Sequence, residues 1–256
     1  MKRILTTLSQ KWPEYLLEII VLIIGIYGAF ALENWRDDRN ELKKERKYLE
    51  SLLIDLKEQS NVIEEQVLYE NSVRTVCYYI LENSIEELLK SDPDTLVSLI
   101  SSLRTRMTFT SFDRTFEDLK TTGNLRVISN DAIKNEIITY YHQLKRIEKI
   151  IFTNNEKFVD DKYNMILLEK SLIIIPREGG RFIDNELSDT YNVPKSEQKL
   201  SALALSNMAT LENQLLITNL VKTRNTPIGI HLNYLDQQKK HTVELARLIE
   251  MELSKP

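Results

Sequence analysis

Residues 15–32 read YLLEIIVLIIGIYGAFAL, and this stretch holds a single charged residue, Glu18. As an α-helix its 18 residues would span about 27 Å, close to the roughly 30 Å thickness of a bilayer's hydrocarbon core. Apolar residues surround the whole helix, whereas an amphipathic core helix carries them in one stripe. The stretch therefore predicts a transmembrane anchor over residues 15–35, preceded by an N-terminal flank over residues 1–14.

The residues that flank the stretch favour the same interpretation. Trp12 and Tyr15 lie at one end and Trp35 at the other, and such amphipathic rings favour the headgroup zone. A cleaved signal peptide is the competing interpretation, because Ala29-Phe30-Ala31 fits a small-x-small cleavage site. The basic residues before the span are sparse and Glu18 interrupts the apolar run early, so we favour an uncleaved signal-anchor.

One face of the span carries Glu18, Leu22, Gly25 and Ala29, at steps of four and three residues. The small residues Gly25 and Ala29 allow two helix backbones to approach, which predicts a self-association face. The competing explanation is that Gly is simply frequent in membrane helices. Glu18 lies one turn inside the span, where its carboxylate either reaches toward the headgroups or acts within the membrane.

The basic residues on the two sides of the span bear on its direction of insertion. Three basic residues precede the span (Lys2, Arg3, Lys11) and six follow it (Arg36, Arg39, Lys43, Lys44, Arg46, Lys47). This excess favours a cytoplasmic C-terminal side, but long domains translocate largely regardless of charge, and the six are interleaved with acids. We slightly favour a bacterial inner-membrane protein whose soluble domain lies outside the cytoplasm.

Composition restricts the soluble domain, residues 36–256, to a helical class. Among 256 residues there are only six Gly and six Pro, while 28% are charged, which is typical of long helices. A net charge of −4 argues against a nucleic-acid binder. The single cysteine, Cys77, excludes an intramolecular disulfide and a cysteine metal cluster, and its place among apolar residues predicts a core position.

The first soluble helix is expected to continue directly from the membrane to about Asn83 or Lys90. Apolar residues recur in it every seven positions, at Leu42, Leu49, Leu56 and Ile63. Glu70 occupies the next position, so a strict heptad ends there. The later pattern drifts, which suits a bundle helix better than an extended coiled coil.

The remaining elements are predicted from apolar periodicity and from helix-ending residues. We expect a short helix over 94–104 that Asp92-Pro93 starts, another over 115–120, a stop at Gly123-Asn124, a long helix from Ser129 or Asn130 to about Leu168, a connection over 171–195, and helices over 196–222 and 228–253 separated at Pro227. The predicted fold class is all-α: one N-terminal transmembrane helix that continues into an antiparallel bundle of about four long helices. The short pieces would cap one end of the bundle or lie across it.

Three groups of residues resemble a bacterial family of unknown function, whose members are small proteins with an N-terminal single-pass anchor. They are Glu18-Ile19-Ile20 with Gly25-Ile26, Ala29 and Asn34-Trp35; Thr115-Phe116 with Leu119, Thr122-Gly123-Asn124-Leu125 and Ile128; and Tyr140-Tyr141. The resemblance covers about the first 150 residues. It implies an anchored helical protein and no particular reaction.

No motif for catalysis is found in the soluble domain. His142, His231 and His241 form neither an H-E-x-x-H nor a Glu-x-x-His pair, and Gly179-Gly180 lacks a phosphate-loop pattern. We therefore expect no enzyme, no metal and no cofactor.

The irregular segment around residues 104–126 is the best candidate for a recognition site, because binding groups concentrate in such segments. It carries Arg104, Arg106, Arg114 and Arg126, whose guanidiniums could hold an anion or a partner's carboxylate. The competing explanation is that they pair with nearby acids such as Asp113 and Asp118.

Two functional hypotheses follow from these patterns. In the first, a non-enzymatic single-pass membrane protein uses its helical bundle as a sensing or protein-interaction module and self-associates, or binds a membrane-protein partner, through the span. In the second, the protein is a subunit of an ion- or proton-coupled envelope complex in which Glu18 titrates within the membrane.

Overall fold

The computed structural model describes the backbone of residues 2–173 and 195–255 and the side chains of residues 16–173 and 199–255. Within these ranges the chain is helical and has no strand, so the predicted all-α class is confirmed. The elements are α1 (Lys2–Asn83), α2 (Ile85–Ser91), α3 (Pro93–Ser102), α4 (Arg114–Thr121), a 3₁₀ turn (Asn124–Val127), α5 (Asp131–Asn154), a π-helical segment (Asn155–Asn164), α6 (Met165–Glu169), α7 (Lys195–Met208) and α8 (Leu211–Leu253).

Helix α1 is a single element of 82 residues, which corresponds to about 123 Å at the α-helical rise. The expected continuity from the apolar stretch into the soluble domain is therefore present. The first residue of α1 that the fold buries is Glu45, and buried positions then recur to Ile80. We call the end of the bundle near Glu45 proximal and the end near Ile80 distal.

Helix α8 runs antiparallel to both α1 and α5. Its C-terminal end meets the proximal part of α1, where Arg46 Nη1 donates to the carbonyl of Leu253 over 3.4 Å. The start of α5 lies at the same end, because Asn130 Nδ2 donates to Glu252 over 2.8 Å. Halfway along α8, His231 contacts both Glu70 of α1 and Asn154 of α5. The axes of α1 and α5 thus point the same way, and α8 returns between them.

The apolar core is divided into two clusters along the bundle axis. The proximal cluster joins α1, α4, α5 and α8 through residues such as Leu52, Leu56, Phe116, Leu119, Tyr140, Tyr141, Leu144 and Leu245. The distal cluster joins α1, α2, α3, α6, α7 and α8 through residues such as Cys77, Ile80, Leu96, Leu103, Leu167, Met208, Ile217 and Val221. Both contain fully buried large side chains, whose removal from water stabilises each end separately.

The predicted boundary between the last two helices is wrong. The chain breaks at Thr210, whose side chain accepts from the Asn213 N–H over 3.4 Å as an N-cap, and α8 then continues through Pro227. Proline inside a helix costs about 3 kcal/mol because it lacks an N–H. Pro227 and Ile228 are buried, so packing along α8 offsets this local penalty. Instead of about four long helices, the described chain has three long helical columns (α1, α5 continued through α6, and α8) and a shorter α7.

The short helices were predicted at one end of the bundle, as a cap or lying across it, but they are divided between both ends. Helix α3 starts at the expected Asp92-Pro93, where Asp92 accepts from the Thr95 N–H over 3.0 Å, and it packs in the distal cluster with α2. Helix α4 packs at the proximal end and stops at Gly123, whose φ of 69° confirms the predicted left-handed stop. The predicted connection 171–195 falls mostly on residues 174–194, outside the described residues.

Burial of Cys77 makes it a reporter of the distal cluster. Its thiol is fully buried, and desolvation raises its pKa to about 11 although the Arg224 charge opposes this. We expect alkylation of the native protein in detergent near pH 8 to be at least about 100-fold slower than in concentrated urea, because the thiolate is the reactive form. Equal rates in the two conditions would show that Cys77 is not in the core.

Candidate functional site

The apolar part of α1 makes no contact with the rest of the described chain. Among the described residues, α1 is the one helix with an 18-residue window long and apolar enough to cross a membrane, and none of that window is buried. A Cβ built on Gly25 or Gly28 would meet nothing within 4 Å. Leu22 is exposed, as are Glu18 and Ala29. This surface is therefore available to lipid or to another chain.

Segment 103–113, which we call the strap, connects the distal α3 with the proximal α4 and runs along α1. Tyr69 donates its hydroxyl to the Thr105 carbonyl over 2.8 Å, and Gln59 accepts from the Phe112 N–H over 2.5 Å. An irregular segment must find partners for its backbone groups outside helices and sheets. Polar side chains on the inner face of α1 supply those partners.

Two buried carboxylates of α1 also accept hydrogen bonds from backbone N–H groups, at residues that follow the strap in sequence. Asp55 accepts from the Thr115 N–H over 2.7 Å and so caps α4, whose own Asp113 makes no side-chain cap bond. Glu45 accepts from the backbone N–H and the hydroxyl of Ser129 over 2.7 and 2.9 Å, immediately before α5. Negative charge near a helix N-terminus is stabilising, which accounts for carboxylates at these inward positions.

The structure does not bring the four predicted arginines together. Arg106 pairs with Asp160 at 3.0 Å, and the Arg104 carbonyl accepts from Asn164, both in the middle of the bundle. Arg114 lies at the proximal end with its guanidinium 4.4 Å from the centre of the Phe112 ring, and Arg126 is exposed in the 3₁₀ turn.

The strap itself separates these residues. Its start is bonded to Tyr69, and the first turn of α4 is bonded to Asp55, which lies about 21 Å away along α1. The four arginines therefore do not form one site in the structure, and a recognition role for any of them stays a prediction.

Between the two apolar clusters lies a set of buried hydrogen-bonding side chains that we call the polar layer. Gln66 and Glu70 come from α1, Asn154 from α5, and Arg224 and His231 from α8. All but the half-buried Asn154 are at most 1% exposed. Burying such groups is costly unless they bond to one another, so the layer fixes how the three columns align.

Two contacts within the layer hold the His231 ring. Asn154 Nδ2 lies 3.0 Å from His231 Nε2, and His231 Nδ1 lies 2.9 Å from Glu70 Oε1. Gln66 donates to the same carboxylate oxygen over 3.0 Å. The imidazole is thus held between an amide and a carboxylate.

Arg224 is fully buried and binds the start of the strap. Its Nε donates to the Leu103 carbonyl over 3.3 Å, and its Nη2 donates to the Thr105 carbonyl over 3.4 Å. No carboxylate of the described residues lies within 4.0 Å of it. Burial raises the pKa of the neighbouring Tyr69 phenol against the opposing charge of Arg224, so Tyr69 stays protonated as a donor.

The polar layer buries one cationic and one acidic side chain, Arg224 and Glu70. Arg224 reaches the layer beside Tyr69, at 3.5 Å from its hydroxyl, and Glu70 is the next residue of α1. Arg224 Nη1 and Glu70 Oε2 both lack a hydrogen-bond partner within the described part of the chain. A buried net charge is costly, so we expect each group to compensate the charge of the other.

The burial of Glu70, Arg224 and His231 could have been predicted from the spacing of the sequence. Inward residues of α1 follow alternating steps of four and three throughout, at 45, 49, 52, 56, 59, 63, 66, 70, 73, 77 and 80. Glu70 interrupts the apolar heptad, as expected, but it keeps the register and is buried, as is Cys77 seven residues later. Arg224, His231 and Gln238 occupy equivalent steps in α8. The overlooked signal is that polar residues on both α1 and α8 occupy positions with the spacing of core residues.

The π-helical segment keeps the third column in contact at this level. From Ile151 the inward residues Asn155, Val159, Tyr163 and Leu167 follow steps of four. In an α-helix each such step turns the face by about 40°, and the wider π turn counteracts this drift. Asn155 also donates to the Met107 carbonyl of the strap over 3.1 Å.

The geometry of the layer fits a conformational role better than a chemical one. Glu70 and His231 resemble an acid–base pair, but they are at most 1% exposed, so a substrate does not reach them. His241 is bonded instead to Glu136 at 2.6 Å, and His142 is exposed. Among the described residues no group of three or more His, Cys, Asp or Glu is placed to hold a metal ion.

No family model, curated protein or solved structure matches the chain. The resemblance to an anchored bacterial family therefore stays a prediction.

Loss of Arg224 should destabilise the bundle strongly. Arg224→Met removes the donors of two strap carbonyls and leaves Glu70 as an uncompensated charge, so we expect a loss of about 3 kcal/mol in the free energy of unfolding. Urea unfolding of the full chain in detergent, followed by circular dichroism, measures it.

The matched control is Arg247→Met, which removes an exposed arginine that bonds to Glu244 and to the Met251 sulfur, each about one turn away, and we expect a change below about 0.5 kcal/mol. Adding Glu70→Gln to Arg224→Met should recover part of the loss, because no net charge is then buried. Strict additivity of the two changes would contradict charge compensation within the layer.

Proposed function

We propose that the protein is a single-pass protein of the bacterial inner membrane whose helical bundle is a non-catalytic sensing or protein-interaction module outside the cytoplasm. The observation that carries this proposal is the apolar stretch of α1, of which none is buried by the fold. Such a continuous exposed apolar surface is unstable in water and is the length that a bilayer covers.

Helix α1 also gives the module a mechanical connection to the membrane. The same uninterrupted helix contains the apolar stretch and the inward residues of both apolar clusters. A rotation or shift of the span is therefore transmitted to the bundle without a hinge. The polar layer lies midway along this path, where a change of alignment breaks specific hydrogen bonds between the three columns.

Self-association through Gly25 and Ala29 is part of the proposal. Both residues lie on a face that makes no contact with the described chain, and a helix pair packs there without a steric obstacle. Glu18 and Leu22 extend the same face. In the alternative function, an ion-coupled complex, Glu18 is the essential residue of that face.

Insertion and topology are tested together by cysteine labelling. We expect a full chain with Cys77→Ser and a cysteine added after Pro256 to remain in the membrane after carbonate washing, because the uncovered apolar stretch is buried in lipid. We expect a membrane-impermeant maleimide to label it in intact cells. Release by carbonate would refute the anchor, and labelling only after lysis would refute the external location.

The self-association face is tested by disulfide crosslinking in the Cys77→Ser background. Single cysteines at 22, 25 and 29 should crosslink at least about fivefold more than cysteines at 20, 23 and 27 on the opposite side of the helix. Equal crosslinking of the two sets would contradict a specific seam. Glu18→Gln should leave the pattern unchanged if backbone packing drives association, whereas its loss would favour the role of Glu18 in the alternative function.

A further inference from the structure

A groove of about 550 Å³ lies between α1 and α4 at the proximal end of the bundle. Lys44 and Lys47 on α1 and Arg114 on α4 line it, together with the hydroxyl of Ser51. We propose that this groove binds a phosphate-bearing anion, carried either by a lipid headgroup or by a small molecule in solution.

The three cations of the groove have no acidic partner. Lys44 donates to the neutral Asn124 Oδ1 over 2.7 Å, and Arg114 lies over the Phe112 ring. Lys47 has no polar partner within the described part of the chain, and none of the three has a described carboxylate within 4.0 Å. Close by, Arg46 pairs with Glu50 and Lys145 pairs with Asp113, whereas the three cations of the groove have no such ion pair.

The two acids that line the groove are occupied by donors of the protein. Asp55 is 4% exposed and accepts from the Thr115 N–H over 2.7 Å. Asp118 accepts from the Tyr48 hydroxyl over 2.9 Å. Their charges are partly compensated by these bonds, whereas the three cations retain free donors. The groove therefore offers more free cationic donors than free acidic acceptors, which favours an anion as its ligand.

The available donors match the chemistry of a phosphate. A guanidinium offers parallel N–H donors for two phosphate oxygens, and the lysine ammonium groups act as point charges beside it. The Ser51 hydroxyl makes no hydrogen bond within the described chain and adds a neutral donor. A volume of about 550 Å³ is within the usual range for small-ligand sites.

The position of the groove makes a lipid headgroup a reachable source. Lys44 follows Trp35 by about 14 Å along α1, while the headgroup zone extends about 5–8 Å beyond the hydrocarbon core. The flexible lysine side chains can cover much of the remaining distance. The lipid source rests on the proposed membrane anchor, but binding of free phosphate rests only on the groove.

The test compares two full-length variants in detergent with the wild type. Lys47→Gln with Arg114→Gln removes two groove donors, and Lys149→Gln with Lys157→Gln removes two exposed cations elsewhere as a charge-matched control. Native mass spectrometry measures retention of phosphatidic acid against phosphatidylcholine of equal chain length. Equilibrium dialysis at constant ionic strength measures binding of inorganic phosphate. Circular dichroism checks that both variants are folded.

Preferential retention of phosphatidic acid that falls about tenfold or more in the groove variant, but not in the control, would support the site and identify a lipid source. Phosphate binding with the same dependence, without a lipid preference, would support the site and identify a soluble source. If the groove variant and the control bind both ligands equally, the proposal is overturned, and the membrane anchor is unaffected because carbonate washing tests it separately.

Discussion

The inward face of α1 is the constraint on which the rest of the structure depends. It keeps one register from Glu45 to Ile80, and α2, α3, α4 and α8 pack against it. The apolar residues of this face form the two clusters. Its polar residues make hydrogen bonds with the strap, α4, the segment just before α5 and His231 of α8. One helix thus supplies both the hydrophobic stabilisation and the polar bonds that specify alignment.

The polar layer and the strap depend on each other. Arg224 donates to two strap carbonyls just after α3, and Asn155 of the π-helical segment donates to a third strap carbonyl, that of Met107. The three columns and the strap therefore meet at one level. Replacing these groups by apolar side chains would leave backbone carbonyls without partners. A register shift between α1 and α8 would separate Glu70 from His231 and misplace Arg224. The layer therefore favours a single alignment of α1 with α8.

The proximal end brings three features of the molecule close to one another. The exposed apolar stretch leads into it, the groove with unpaired cations opens beside it, and the C-terminal end of α8 packs onto it at Arg46. A change at this end acts directly on α1 and thereby on the whole bundle. The distal end, with its separate apolar cluster, carries the buried Cys77.

The sequence by itself determined the helical class, the uninterrupted α1, the start of α3 at Asp92-Pro93, the start of α5 at Ser129 or Asn130 and the stop at Gly123, because these depend on composition, local periodicity and short-range hydrogen bonds. Only the tertiary structure decided that α8 continues through Pro227, since packing along its length outweighs a local penalty. It also decided that the four arginines lie apart, because the extended strap separates them along α1. Glu70, Arg224 and His231 come from distant parts of the chain, and their meeting depends on the alignment of α1 with α8, which no local pattern specifies.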